Sequence, residues 1–273
     1  MAGWKPLVSA ALFANILDQL VLPKLRRAIE QWNPRRDSTP IHHWTHPWLP
    51  VVGGRLDGLL PMIKHKLATV LTDWTADDAT AHVVVAPWKA VFTKPLWDSL
   101  LLDKIVPKLA HAMRAMEINP AGQDLAPLGW LHLWLPDLGR EKAASVVVHE
   151  LLYRWLGVLH DWLSRPAPNG ADLGEVERWY SGWKQALGAE LLSDQAVKRI
   201  MAQALRMMEQ KLTDQPIVMP PPPPVSHAAS VTMRAAARAA PSAAAPARPA
   251  AGIPSSVRSP GHPKPTYQPE CFV

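Results

Sequence analysis

Cysteine, phenylalanine and tyrosine are almost missing from this chain of 273 residues, which has 1 Cys, 3 Phe and 3 Tyr. A single Cys excludes an intramolecular disulfide framework and any zinc site that needs two thiolates, and it fits a reducing compartment. No run of about 18 apolar residues occurs, so no transmembrane helix is expected. Catalytic signatures are missing too. Gly53-Gly54 lacks the GxGxxG or GxxxxGK(S/T) context of a phosphate-binding loop. There is no GxSxG elbow and no HExxH; His149-Glu150 runs on into Leu151, Leu152 and Tyr153. Cys271 lies in a Pro/Ala-rich terminal stretch, which speaks against a Cys/His pair. With 48% hydrophobic and 19% charged residues, the average is neither that of a disordered chain nor that of a membrane protein. Length alone, at about 150 residues per domain, indicates one or two domains.

Proline and tryptophan are abundant instead, and they divide the chain. All 13 Trp lie between Trp4 and Trp183, whereas residues 216–273 hold 14 of the 29 Pro and 13 Ala. That segment carries Arg234, Arg238, Arg248, Arg258 and Lys264 against Glu270, a balance of +4. The preceding 215 residues have 24 basic and 22 acidic residues, or +2. Pro220 to Pro224 favours polyproline II, and Pro241, Pro246 and Pro249 interrupt any helix begun in the Ala-rich run. With little to bury, 216–273 reads as a disordered tail. A linker is the preferred role; a ligand for a polyproline-reading module and a basic arm for RNA are the alternatives. At the other end, Leu7 to Leu17 has the length of a signal-peptide core. The helical pattern continues past Asp18 towards Ile29, so a buried helix is preferred there.

The body contains an internal duplication. LPKLRRAIEQWNP (22–34) matches VPKLAHAMRAMEINP (106–120), with Pro23 paired to Pro107 and Asn33 to Asn119. Trp44, Trp48, Leu49 and Pro50 pair with Trp130, Trp134, Leu135 and Pro136 at offset 86. HKLATVLTDW (65–74) pairs with YRWLGVLHDW (153–162) at offset 88, and Trp88-Lys89 resembles Trp183-Lys184 at offset 95. These matches keep one order, which defines two tandem units at about 5–94 and 95–190.

Both units read as helical. Leu59, Leu60, Ile63, Leu67, Val70, Leu71 and Trp74 fall on one face, as do Leu151, Leu152, Trp155, Leu156, Leu159 and Trp162. A closing helix over 194–213 has Val197, Ile200, Met201, Ala204, Leu205, Met208 and Leu212 on its apolar face, with Ser193 or Asp194 as cap. Pro23 and Pro107 stand inside helical patterns and should kink or break them. Val83 to Val85 and Val146 to Val148 are too short to alternate as strands. The expected architecture is all-α: two tandem units stacked into a curved, helical-repeat-like domain over 1–215, followed by the tail.

Two clusters carry possible chemistry. His42, His43 and His46 include an i, i+4 pair that suits metal if helical, but Pro40, Pro47 and Pro50 argue against a helix there. A structural loop is preferred, and no metal or cofactor is expected. Lys24, Arg26, Arg27, Arg35 and Arg36 lie beside Trp32 and suit a phosphate backbone. A solvated helix end is the simpler reading.

Finally, WNPRRDSTPIHHWTHPWLP (32–50), APWKAVFTKPLWDSLLLDKIVPKL (86–109), INPAGQDL (118–125) and EVERWYSGWK (175–184) resemble the GC-rich-sequence DNA-binding-factor-like domain of the tuftelin-interacting protein family. The resemblance runs through nearly all of 1–213. It implies a non-enzymatic nuclear pre-mRNA splicing factor, acting in spliceosome disassembly and intron-lariat release with a DEAH-box RNA helicase. The family's Gly-rich G-patch engages that helicase ahead of this domain; no such segment stands in this chain, so direct activation is not expected. Tyr153-Arg154 replaces the family's usual Pro-Lys, and the Ala/Pro tail is unlike the family's C-terminal region. The words DNA-binding in the domain's name find no recognition helix or zinc module here. Spliceosomal proteins are the expected partners, through Trp44, Pro47, Trp48, Pro50, Trp130 and Trp134. RNA binding through Arg26, Arg27, Arg35 and Arg36 is the alternative.

Overall fold

A computed structural model describes residues 9–34, 36–165, 172–222 and 227–237. Ser9 opens the first helix, its hydroxyl accepting a hydrogen bond from the Leu12 N–H. Helix α1 (Ala10–Ile16) passes through a π-turn, Leu17–Val21, into α2 (Leu22–Gln31). The same sequence of elements recurs at offset 84: α7 (Lys94–Leu100), the π-turn Leu101–Ile105, and α8 (Val106–Ala115). In each π-turn an N–H reaches back five residues, from Leu22 to the Leu17 carbonyl and from Val106 to the Leu101 carbonyl. Pro23 and Pro107 follow at once. Their rings supply no N–H, and the widened turn passes over that gap. Neither proline breaks its helix, contrary to one of the two outcomes expected. Helix α1 is not buried as the sequence pattern suggested. Burial starts at Leu17, and Leu12 is half exposed.

Short helices fill the rest of the first unit: α3 (Ile41–Thr45), α4 (Leu49–Val52), α5 (Leu60–Val70) and α6 (Thr80–Val85). The prolines expected to keep 41–50 from being helical instead punctuate it. Pro40 flanks α3, while Pro47 and Pro50 sit in the first turns of the segments that follow, where no N–H is required. In the second unit α9 (Ala126–Leu138) turns at Gly139, whose φ of 78° favours glycine, into α10 (Arg140–Val147). A third π-turn, Val148–Leu152, leads into α11 (Tyr153–Leu163). The segment α12 (Leu173–Leu192) is interrupted at Gly188, φ 71°. Helix α13 (Gln195–Leu212) closes the body. Asp194 is its cap, accepting from the Ala196 and Val197 N–H groups, while the Ser193 hydroxyl donates back to the Glu190 carbonyl.

All regular elements among the described residues are helical, including both valine triplets. The α5 and α11 faces are buried largely as their spacing predicts, around fully buried Trp88, Trp134 and Trp155. Trp155 stacks on Trp179 at 5.2 Å, and Trp183 meets Trp179 edge-on at 6.1 Å. On α13 the expected face needs correction: Leu205 and Leu212 are exposed, and Met207 is buried instead.

The largest correction concerns residues after 215. Ile217 and Met219 pack against the core, and the Tyr153 hydroxyl donates to the Pro220 carbonyl at 3.1 Å. Helix α14 (His227–Ala237) then lies on α8 and α10, burying Thr232 and Ala235. The stretch between Pro224 and Pro241 is free of proline, and its small side chains allow close approach. The remaining tail, 223–226 and 238–273, lies outside the described residues. Everything described falls within one compact unit spanning 1–240.

Candidate partner-binding grooves

The duplication reproduces its connections as well as its helices. The last carbonyls of a helix have no partner within it. Here cations from other segments of the chain supply one. Lys66 donates to the carbonyls of Glu30 and Trp32 at 2.7 and 2.8 Å, at the end of α2. Arg154, its counterpart at offset 88, donates to the carbonyls of Arg114 and Met116 at 2.7 and 3.0 Å, at the end of α8. Between them, Lys108 donates to the carbonyls of Thr72, at 2.8 Å, and Trp74, after α5. Lys89 does the same for α9, donating to the Pro136 carbonyl at 2.8 Å and pairing with Asp137 at 3.2 Å. Each cation also complements the negative end of a helix dipole.

The Asn-Pro loops match in the same way. The Asn33 N–H donates to Asp37 Oδ2 at 2.7 Å, and the Asn119 N–H donates to Gln123 Oε1 at 3.1 Å. Helix end and loop together make one side of a surface groove, and a half-buried Trp makes the other. In the first unit the groove has a volume of about 600 Å³ and is lined by Ala28, Gln31, Trp32, Arg36, Asp37 and Trp44, among others. In the second, about 740 Å³ is lined by Ala112, Ala115, Met116, Gly122, Asp124 and Trp130, joined by Trp74, Asp77, Lys108, Glu117 and Pro127. Ala28 corresponds to Ala112, Trp32 to Met116 and Trp44 to Trp130. These are equivalent grooves on two copies of one design. A third concavity beside Trp162 and Trp179 lies between Arg165, Arg178, Asp161 and Glu175.

The sequence-predicted partner residues separate on this frame. Trp44 and Trp130 stand in equivalent grooves; Pro47 and Pro50 are exposed, and Trp48 is half-buried. Trp134 is withdrawn from the surface entirely. Its ring meets Trp74 at 5.7 Å and His82 at 4.9 Å edge-on, so it is a core residue rather than a contact residue. Trp74, Met116, Asp77, Glu117, Asp124 and Pro127 were not foreseen. The signal for Met116, Glu117 and Asp124 lay in the Asn-Pro repeat beside them, whereas Trp74 and Asp77 come from the connection after α5.

Of the predicted RNA-binding residues, Arg26, Arg27 and Arg36 are exposed, as is Lys24, and none makes an ion pair among the described residues. Arg35 lies outside them. His42 and His46 share one helical turn, with ring centroids 5.7 Å apart, and His46 meets Trp88 edge-on at 4.9 Å. Burial pushes both imidazoles below the usual histidine range, and charge on His43 and His46 lowers His42 further. Among the described residues, no three His, Cys, Asp or Glu side chains are arranged to hold a metal ion. No helix among them is long and apolar enough to cross a membrane.

Residues 1–159 match the GC-rich sequence DNA-binding factor-like protein family. The chain belongs to that family. Within this GC-rich sequence DNA-binding factor-like group it is similar to tuftelin-interacting protein 11. It is 35% identical to the Bos taurus protein over 211 residues, covering 77% of this chain and 25% of the relative. The Danio rerio protein is 37% identical over 205 residues, covering 75% and 24%. The Gallus gallus protein is 34% identical over 211 residues, covering 77% and 25%. The chain thus spans about a quarter of the length of the curated relatives it matches. In this family member both grooves lie within or beside the matched residues.

Proposed function

We propose that this chain is a non-catalytic scaffold that assembles with proteins of the pre-mRNA splicing machinery in the nucleus. The finer reading is a part in spliceosome disassembly and intron-lariat release, within a complex that includes a DEAH-box RNA helicase. Membership of the family, at about 35% identity to tuftelin-interacting protein 11, supports the association. The observation that carries the scaffold role is the repetition of one groove, walled by a capped helix end, an Asn-Pro loop and a half-buried Trp. Two copies of one concave surface, kept open on a rigid helical body, suit multivalent protein contact. Affinity capture from nuclear extract tests this. Recovery of splicing proteins, reduced by Trp44→Ala and Trp130→Ala together, is the expected result. Recovery of none by a folded chain sinks the proposal.

RNA binding is the second reading. Its support is the exposed set Lys24, Arg26, Arg27 and Arg36 on and just after α2. If these residues contact a single strand, removing three charges lowers the salt dependence of log affinity by about 2, at about 0.7 per phosphate contact. The triple change Arg26→Gln, Arg27→Gln, Arg36→Gln should show that loss. An unaltered salt slope refutes the assignment.

A further inference from the structure

The two grooves share a plan but differ in charge. Among the described residues, the first is lined by one cation and one anion, Arg36 and Asp37. The second is lined by three carboxylates, Asp77, Glu117 and Asp124, all exposed and none in an ion pair among the described residues. Its basic side chains are His111 and Lys108, and Lys108 is already spent on the carbonyls of Thr72 and Trp74. Between the carboxylates the surface is apolar, made by Trp74, Met116, Pro127 and the half-buried face of Trp130. Phosphates are repelled from such a rim, and an anionic segment with them.

The geometry points to this second groove as a docking site for a protein segment that carries arginine or lysine beside aliphatic side chains. The aliphatic groups sit against Trp74, Met116 and Pro127, and the cations reach Asp77, Glu117 and Asp124. A guanidinium also lies well over the open face of Trp130, where the ring quadrupole attracts a cation. Carboxylates accept the guanidinium fork in two parallel bonds, which favours arginine over lysine. Duplication followed by divergence thus gives one body two sites for different partners. Among the described residues, the first groove has no comparable excess of either charge.

The inference rests on the scaffold reading, and its test is separable from that reading. The probe is a labelled synthetic peptide of repeated Arg-Leu pairs, titrated with the full chain by fluorescence anisotropy. A Glu-Leu peptide of the same length is the control. Wild type should favour the Arg-Leu peptide by about tenfold or more, which is about 1.4 kcal/mol. Asp77→Asn with Asp124→Asn should remove most of that preference. Asn at 124 can still accept from the Ala126 N–H, as Asp124 does. Asp37→Asn, in the first groove, should leave it unchanged. Equal affinity for both peptides, no binding of either, or indifference to the double change overturns the assignment. Trp130→Ala should weaken binding severalfold. The near-isosteric Asn changes decide the matter if that variant folds poorly. If wild type captures splicing proteins and the double change does not reduce capture, the groove assignment falls and the scaffold stands. If peptides are discriminated but no splicing protein is captured, the scaffold reading falls alone.

Discussion

Replacing Lys108 by Met removes one cation cap and keeps the aliphatic stem. The ammonium bonds the carbonyls of Thr72 and Trp74, after the end of α5, and lies 5.8 Å from the centre of the Trp74 ring. Hydrogen bonds to charged groups contribute about 1.5–3 kcal/mol when a partly buried partner is orphaned. The dipole contribution is about 0.3–1 kcal/mol, and a cation–π contact about 0.5–1 kcal/mol at such a site. Because Lys108 is only half-buried, solvent replaces part of what is lost. A net destabilisation of about 2 kcal/mol is expected. For a body of this size that lowers Tm by about 4–8 °C. Lys24 is the internal control. It occupies the equivalent place at offset 84, but it is exposed and caps nothing among the described residues. Lys24→Met should therefore cost within about 0.5 kcal/mol, like other unengaged surface changes. Urea denaturation followed by far-ultraviolet circular dichroism measures both. Equal losses for the two variants, or a Lys108→Met loss below about 0.5 kcal/mol, would refute the view that cation caps join successive units.

Other outcomes follow from the same structure. Trp134→Ala should destabilise by about 3–5 kcal/mol, as a core truncation, whereas Trp44→Ala, half-buried in its groove, should cost clearly less; chemical denaturation that ranks them in the reverse order would contradict the burial assignment. Acidification should destabilise the fold through His42, His46 and His149, all lowered chiefly by burial. Their folded pKa lies below the unfolded value of 6.5, so the unfolded chain takes up protons first. The contribution is complete above that value and is lost as pH falls below it. His42→Gln with His46→Gln should flatten the slope of stability between about pH 7 and 5, and an unchanged slope would show that these rings do not resist protonation. Thr232→Glu should release α14, because it places a charge at a buried position. Hydrogen exchange should then show amides 227–237 losing protection while α8 and α10 keep theirs in large part; full retention of protection in α14 would place that residue elsewhere.

Helix content and the main core faces were legible in the sequence because they depend on local spacing. Leu59 to Leu71 and Leu151 to Leu159 recur every three or four residues, and burial of one face follows from that alone. The duplication was legible for the same reason, since matched motifs fold alike wherever they stand. Capping was legible only in part. Asp194 was one of two named candidates, and the choice needed the backbone path. Of the two outcomes expected of Pro23 and Pro107, the break does not occur, because the backbone has a further option. A π-turn ahead of Pro23 and Pro107 carries each helix past the missing N–H, and no residue pattern marks that turn.

Tertiary packing decided the rest. Trp48 and Trp134 occupy matched positions, yet one is half-buried and the other wholly enclosed, because only the second meets Trp74 and His82. The tail was judged by composition, but α14 finds on α8 and α10 a surface that its own sequence does not encode. The second groove collects Asp77 from the connection after α5 and Glu117 and Asp124 from the one between α8 and α9. Sequence by itself determined that the body is helical and that the Pro-Lys-Leu helix occurs twice, since those choices rest on neighbours along the chain. Which side chains remain open to a partner, and with what charge, was settled only where distant segments meet.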